Sequence, residues 1–166
     1  MDKIAIISDI HGNLPALDAV LEDAKRNQVE SYIFVGDYCL SNPYPNECIL
    51  RMRGLHNKNV VRGNEEKYLE NLIGKDQDTW TDGQMQISYY CYRAVSKDNL
   101  DYLLSMPHRL NLRCNGVDLH IAHSSGEFIS DCEHREWLPS QVAMKYKNKE
   151  ITKESLRNDI NSYFDS

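Results

Sequence analysis

The stretch from Lys3 to Asn13 reads KIAIISDIHGN, and it decides the fold. Its first half is a continuous β-branched and apolar run, which is typical of a strand buried on both faces in a parallel sheet. Its second half brings acidic, imidazole, glycine and amide groups, so the strand must end there. The following residues, 14–27, carry apolar side chains at helical spacing, and Asn13 can cap the first turn of that helix.

The same alternation of a short apolar run and an amphipathic helix recurs along the chain. Apolar runs at 32–35 and 60–61 predict two further strands, and each run ends in a turn that contains glycine. A helix is predicted after each of them, the later one with Glu65 and Glu66 in its first turn, where carboxylates favour the helix dipole. This β-α-β-α-β-α order predicts a parallel sheet with right-handed crossovers.

After the β-α-β-α-β-α segment, the sequence predicts two helices that cover the sheet, a β-hairpin and a helical tail. Helical spacing returns between residues 85 and 106, with Ser96 as the cap of the second helix. The runs 109–114 and 117–123 alternate in the strand manner around Asn115-Gly116, a dipeptide that suits a type I′ turn. The tail from 139 to 166 has a helical pattern. At this length we expect one domain, residues 1–166.

The composition limits the classes of protein. The chain has 25 Asp and Glu against 19 Lys and Arg, and its formal net charge is −6. This acidic balance argues against a nucleic-acid backbone or an anionic membrane as a partner. Apolar runs are far shorter than the roughly 18 residues of a membrane-spanning helix. Five cysteines without C-x-x-C spacing, and an N-terminus that does not read as a leader, predict a cytoplasmic protein with reduced thiols.

Each predicted strand end carries a residue that can bind a divalent cation. These residues are Asp9 and His11 after the first strand, Asp37 after the second, Asn64 after the third, and His123 at the end of the hairpin. The carboxyl ends of parallel strands form the ligand-binding edge of such sheets, so these side chains are expected to converge. Their mixture of carboxylate, imidazole and carboxamide suits Mn, Fe, Zn, Ni or Co. Asp37 is the natural bridge, since one carboxylate can give an oxygen to each of two ions.

Taken singly, these residues have ordinary explanations. Asp9 can cap a helix, Asp37 and Asn64 are common turn formers, and His11 can be a loop imidazole. The combination of D-x-H-G-N, G-D and R-G-N, each after an apolar strand and before a helix, favours the metal site. His120 differs from His123 by an odd number of positions, so it is expected on the opposite face of the hairpin.

In these motifs the chain resembles the calcineurin-like metallophosphoesterase superfamily, especially its small prokaryotic phosphodiesterase-like branch. The matching pieces are Asp9-Ile10-His11-Gly12-Asn13, Gly36-Asp37, Gly63-Asn64 and Ala122-His123, and their order matches over nearly the whole chain. The resemblance implies an α/β fold, a four-layer α/β/β/α sandwich. It also implies two divalent metal ions: Asp9 and His11 bind one, Asn64 and His123 bind the other, and Asp37 bridges them.

Two departures from the family pattern affect the expected activity. The family usually places a histidine after G-N, where it helps to protonate the leaving group, and this chain has Glu65, our candidate catalytic residue. A glutamate can donate a proton only if burial raises its pKa, and nearby cations would lower it. The family's G-H-x-H motif, which gives one histidine to each metal, does not occur in the sequence. We therefore expect a C-terminally shortened domain that lacks strands of its second sheet, with weakened metal affinity.

Two hypotheses about function follow. The first is a metal-dependent phosphoesterase that hydrolyses a small phosphomonoester or phosphodiester through a hydroxide activated by two metal ions. The alternative is a catalytically weak or inactive scaffold or binding module of the same fold, which Glu65 and the absent histidines favour. An apolar sheet face left open by missing strands could also pair with a second copy of the chain, giving a homo-oligomer.

Overall fold

The computed structural model describes residues 3–81, 83–114 and 116–123. The elements in chain order are β1 Ile4–Ile7, α1 Leu14–Arg26, β2 Ser31–Val35, α2 Pro45–Arg53, β3 Lys58–Val61, α3 Asn64–Glu70, two short 3-10 helices at Gln77–Thr79 and Gly83–Met85, α4 Gln86–Ala94, α5 Lys97–Leu104, β4 Arg109–Cys114 and β5 Val117–Ala122. The predicted α/β fold, with its alternating strands and helices and its hairpin, is confirmed. The predicted helical tail, 139–166, lies outside the described residues, and the four-layer arrangement and the single domain stay predictions.

The first three strands form a parallel sheet in the order β1-β2-β3. Ile7 pairs with Phe34, and Val35 pairs with Val61, so the three strands end at one edge. β4 and β5 form a separate antiparallel pair, in which Arg109 lies opposite Ala122. The parallel register brings the turns after β1, β2 and β3 together, as the sequence order predicts.

Both faces of the sheet pack against other elements, although β1 is covered less completely than β2. Its first face packs against helices in a large core that contains Phe34, Tyr38, Ile49, Met52 and Leu103, each with 0 % of its surface exposed. The opposite face packs against the β4–β5 hairpin in a smaller cluster, whose buried members are Ile33, Val61 and Ile121. Three layers are therefore present in the described part of the chain: helices, sheet and hairpin.

One expectation about β1 is wrong. The apolar run predicts a strand buried on both faces, but Ile6 is 70 % exposed while Ile7 is 8 % exposed. β1 is an edge strand of the described sheet, and alternate side chains of a strand point to opposite faces, so the burial of Ile7 does not extend to Ile6. No described helix is both long and apolar enough to cross a membrane.

The helix boundaries follow from local chemistry. Asn13 caps α1 by accepting a hydrogen bond from the N–H of Ala16 at 3.1 Å, and Ser96 caps α5 through the N–H of Asn99. α2 begins at Pro45, inside the segment 42–47 that its prolines and asparagines indicate as a loop. Proline has no N–H to lose in the first helical turn, so it suits that position.

One carboxylate joins the turns after β2 and β3. Glu66 lies in the first turn of α3 and is fully buried. It accepts hydrogen bonds from the backbone N–H groups of Asp37 at 3.2 Å, Tyr38 at 3.0 Å and Gly63 at 2.8 Å. Burial raises the pKa of Glu66, against the effect of the three donors. Because the donors come from two turns, the carboxylate holds both turns in one arrangement.

We expect Glu66→Ala to lower the free energy of unfolding by about 3 kcal/mol or more, because each buried N–H left without an acceptor costs about 1–3 kcal/mol. Glu66→Gln should cost less, since its amide keeps one acceptor oxygen. Urea titration with a chelator present measures the difference. Glu22→Ala, on the exposed side of α1, is the control, and equal stabilities of Glu66→Ala and Glu22→Ala would contradict the role given to Glu66.

Candidate metal centre

The turns after β1 and β2 run side by side. The N–H of Asp9 donates to the carbonyl of Gly36 at 3.2 Å, and the N–H of His11 donates to the carbonyl of Asp37 at 3.0 Å. These bonds continue the pairing of the two strands beyond their ends. They place the D-x-H segment against the residue that the sequence predicts as a metal bridge.

Three of the predicted ligands have left-handed backbones. The φ angles are 57° at Asp9, 51° at His11 and 58° at Asp37. This conformation costs a residue other than glycine about 1–2 kcal/mol, so surrounding contacts must enforce it. The turns are therefore shaped to direct these side chains at the cost of some stability.

Two glycines allow the turns to approach closely. A Cβ on Gly63 would lie 2.1 Å from Oδ1 of Asp37, and a Cβ on Gly36 would lie 2.7 Å from Nδ1 of His123. Gly36 also has a φ of 89°, which side-chain-bearing residues rarely adopt. Any larger residue at these positions would push Asp37 or His123 out of place.

Asp37 lies at the centre of the site and is 4 % exposed. Its Oδ1 accepts a hydrogen bond from the N–H of Glu65 at 3.0 Å, and its Oδ2 lies 3.4 Å from Nε2 of His123. The two oxygens thus face different neighbours. A carboxylate that bridges two ions needs this arrangement.

The ring of His123 is held in one orientation. Its Nδ1 lies 2.7 Å from the carbonyl of Val35, which can only accept, so Nδ1 carries the proton of that bond. Its Nε2 faces Oδ1 of Asn64 at 3.1 Å. The hydrogen bond to Asp37 raises the pKa of His123 to about 9, although burial opposes this. A neutral ring protonated at Nδ1 offers its Nε2 lone pair to a metal ion.

His11 lies between two carboxylates. Its Nε2 is 3.5 Å from Oδ1 of Asp9, and its Nδ1 is 2.8 Å from Oε1 of Glu65. Burial lowers the pKa of His11, but the charges of Glu65, Asp37 and Asp9 outweigh it and raise the pKa overall. This residue therefore has an acid on each side and suits a site that attracts cations.

Glu65 lies within the site rather than at its border. It is 8 % exposed, and its Oε2 accepts a hydrogen bond from the N–H of Leu40 at 3.1 Å. Burial, with the charge of Asp37, raises the pKa of Glu65 to about 7, against the effect of His11. Without metal, Glu65 thus meets the condition for holding a proton near neutral pH.

The predicted residues come together in two groups that share Asp37. Asp9, Asp37 and His123 form one group, and His11, Asp37 and Glu65 form the other; in each, the ligand atoms lie within 4.8 Å of one another. Asn64 touches the first group through His123. How the ligands divide between two ions stays a prediction.

The donor set fits divalent cations. In the described part of the chain, the ion pairs of the three carboxylates are with His11 and His123. Of these three carboxylates, Asp37 and Glu65 are buried and Asp9 is exposed. Neighbouring acids without a lysine or arginine partner repel one another, and a cation removes that repulsion. Carboxylate oxygens and imidazole nitrogens are ligands of Mn, Fe, Zn, Ni and Co.

The structure separates the hairpin histidines as expected. His120 is exposed, and its Nδ1 lies 2.9 Å from Oδ1 of Asn111 on the neighbouring strand. His123 faces the metal centre from the end of β5. Sequence reasoning missed the role of Glu66, because a second glutamate in a first helical turn gives no local sign that it will be buried.

Comparisons with known proteins identify the family of this chain. The family model described as calcineurin-like phosphoesterase matches residues 2–158. An uncharacterized protein of Methanocaldococcus jannaschii is 31% identical over 123 residues, which are 74% of this chain and 49% of that protein. The chain therefore spans about half the length of this curated relative.

Two solved structures are also similar. A metallophosphoesterase from Sphaerobacter thermophilus is 33% identical with a TM-score of 0.56, covering 66% of this chain and 43% of that one. Yfce, a phosphoesterase from E. coli, is 21% identical with a TM-score of 0.44, covering 73% of this chain and 57% of that one. With its family model matched over nearly its full length, the chain belongs to the calcineurin-like phosphoesterase family.

Proposed function

We propose that the protein is a metal-dependent phosphoesterase that hydrolyses a small phosphomonoester or phosphodiester. The observation that carries this proposal is the convergence of two ligand groups on one shared carboxylate, that of Asp37. In this proposal Asp9 and His11 would hold one divalent ion, Asn64 and His123 would hold a second, and Asp37 would be a ligand of both. Membership of the calcineurin-like phosphoesterase family supports the activity in general.

Bound ions explain how an acidic site could accept an anionic substrate. When bound, two divalent cations supply positive charge for phosphoryl oxygens and lower the pKa of a water molecule. Hydrogen bonds within the chain hold the ligand side chains in position. The Val35 carbonyl orients His123, and the Glu65 N–H orients Asp37. Without cations, the carboxylates of the site would repel a phosphate ester.

We also propose manganese as the first ion to assay and the cytoplasm as the compartment. Manganese accepts the mixture of oxygen and nitrogen ligands found here. The described cysteines, Cys39, Cys48, Cys91 and Cys114, are free thiols, as is usual in a reducing compartment.

The activity test uses p-nitrophenyl phosphate and its bis ester with added Mn²⁺. We expect Asp37→Asn to lower kcat/KM by about 100-fold or more, because an amide cannot supply the charge that a shared ion needs. Asn64→Ala should cost less, since the carboxamide it removes carries no charge.

Asp118→Asn is the matched control, because Asp118 is an exposed aspartate on the hairpin that pairs with Arg113. It should keep the wild-type rate. If wild type and Asp37→Asn show the same negligible rate with both esters, the phosphoesterase proposal is wrong and the scaffold alternative is favoured.

The pKa shifts predict how the stability of the metal-free protein depends on pH. The pKa values of Glu65, Glu66, His11 and His123 are all raised in the folded protein, so the folded state binds more protons than the unfolded state. The contribution of these four groups to the free energy of unfolding is fully present at low pH. It is lost as pH rises through about 7 for Glu65 and about 9 for His123.

We therefore expect Tm in the presence of a chelator to fall as pH rises from about 5 to about 9. Partial burial raises the pKa of Glu70, but Arg62 and Lys67 outweigh it and lower that pKa overall. Its stabilising contribution is therefore lost only at pH values below this range. Mn²⁺ competes with protons for the same atoms, so the stabilisation it gives should grow with pH. A Tm of the chelated protein that rises over this range would contradict the electrostatics described for the site.

A further inference from the structure

We propose that Glu65 is itself a metal ligand, sharing one ion with Asp37 and His11. This inference rests on the proposed function, because it takes the site to bind divalent cations. As a metal ligand, Glu65 would bind an ion and would not act as the proton donor considered for it in the sequence analysis.

The contact between Glu65 and His11 has the spacing of two ligands of one ion. Their Oε1 and Nδ1 atoms lie 2.8 Å apart, yet Nδ1 is buried without a well-directed hydrogen bond. Two atoms that each lie about 2.1 Å from an ion at a right angle are about 3 Å apart. An oxygen of Asp37 completes the group within 4.8 Å. Because Nδ1 of His11 would face this ion, the inference replaces the pairing of Asp9 with His11 on one ion. Asp9 groups instead with Asp37 and His123.

The carboxylate of Glu65 is also held in place for this role. Its Oε2 accepts the N–H of Leu40 at 3.1 Å, which leaves Oε1 on the side of His11. Its backbone N–H donates to Oδ1 of Asp37 at 3.0 Å, so the two carboxylates keep a fixed relation. A ligand set that is already in position loses little conformational entropy when it binds an ion.

The charge of the site favours a ligand over a proton donor. Glu65 is 8 % exposed and Asp37 is 4 % exposed, and the two carboxylates lie side by side with little solvent around them. A cation bound between them would stabilise both anions. A glutamate in contact with that cation stays ionised and has no proton to give to a leaving group.

The test is Co²⁺ binding to the chelator-treated full chain. Calorimetry measures the affinity, and visible absorption reports the ligands of the bound cobalt. We expect Glu65→Gln to weaken Co²⁺ binding by about tenfold or more and to change the absorption of the bound cobalt, because one charged ligand is lost. Glu65→Asp keeps the charge on a shorter side chain and should have intermediate affinity. Glu47→Gln, at an exposed position of α2, is the matched control and should bind as wild type does.

The outcomes separate this inference from the function it rests on. Wild-type affinity and absorption in Glu65→Gln would overturn it. Weaker binding with unchanged absorption would also overturn it, because Glu65 would then only orient His11. If wild type binds no Co²⁺, the metal-dependent function fails first, and the inference fails with it. If Glu65→Gln does not fold, Glu65→Asp is the test variant. Wild-type affinity and absorption in Glu65→Asp would overturn the inference. Intermediate affinity with changed absorption would support it.

Discussion

The carboxylate of Glu66 holds the turns after β2 and β3 together, and the geometry of the metal centre depends on it. Its three backbone donors include the N–H of Asp37 and the N–H of Gly63. These two residues are also the pair between which no Cβ could fit. Glu66 therefore fixes the backbone, the glycine provides the space, and together they set the position of Asp37.

Much of this arrangement could be predicted from the sequence. The ends of β1, β2 and β3 follow from where apolar runs stop, and parallel strands must present those ends at one edge. Asp9, Asp37 and Asn64 could thus be placed near one another without any contact being known. His123 could be proposed as a ligand from its place at the end of the hairpin, but its contact with Asp37 depends on how the hairpin packs on the sheet.

Other features of the site and the sheet could not be predicted, because they depend on contacts between segments that are distant in sequence. Nothing in the local pattern distinguishes Glu66, which is fully buried, from Glu22, which is exposed. The exposure of Ile6 depends on which strand lies at the edge of the sheet, and an apolar run does not indicate the position of its strand in the sheet. The contact of Nδ1 of His11 with Glu65 depends on the left-handed backbone of His11, which only the three-dimensional structure shows.

The strain and the buried charge of the site have one common explanation. The left-handed backbones at Asp9, His11 and Asp37 and the burial of the Glu65 carboxylate, which raises its pKa, each lower the stability of the metal-free protein near neutral pH. A site that served only the fold would gain by losing these features. A site that binds cations needs them, because the repulsion between its acids is the energy that an ion recovers on binding. The same electrostatics that make the site unfavourable when empty would therefore favour the binding of a divalent cation.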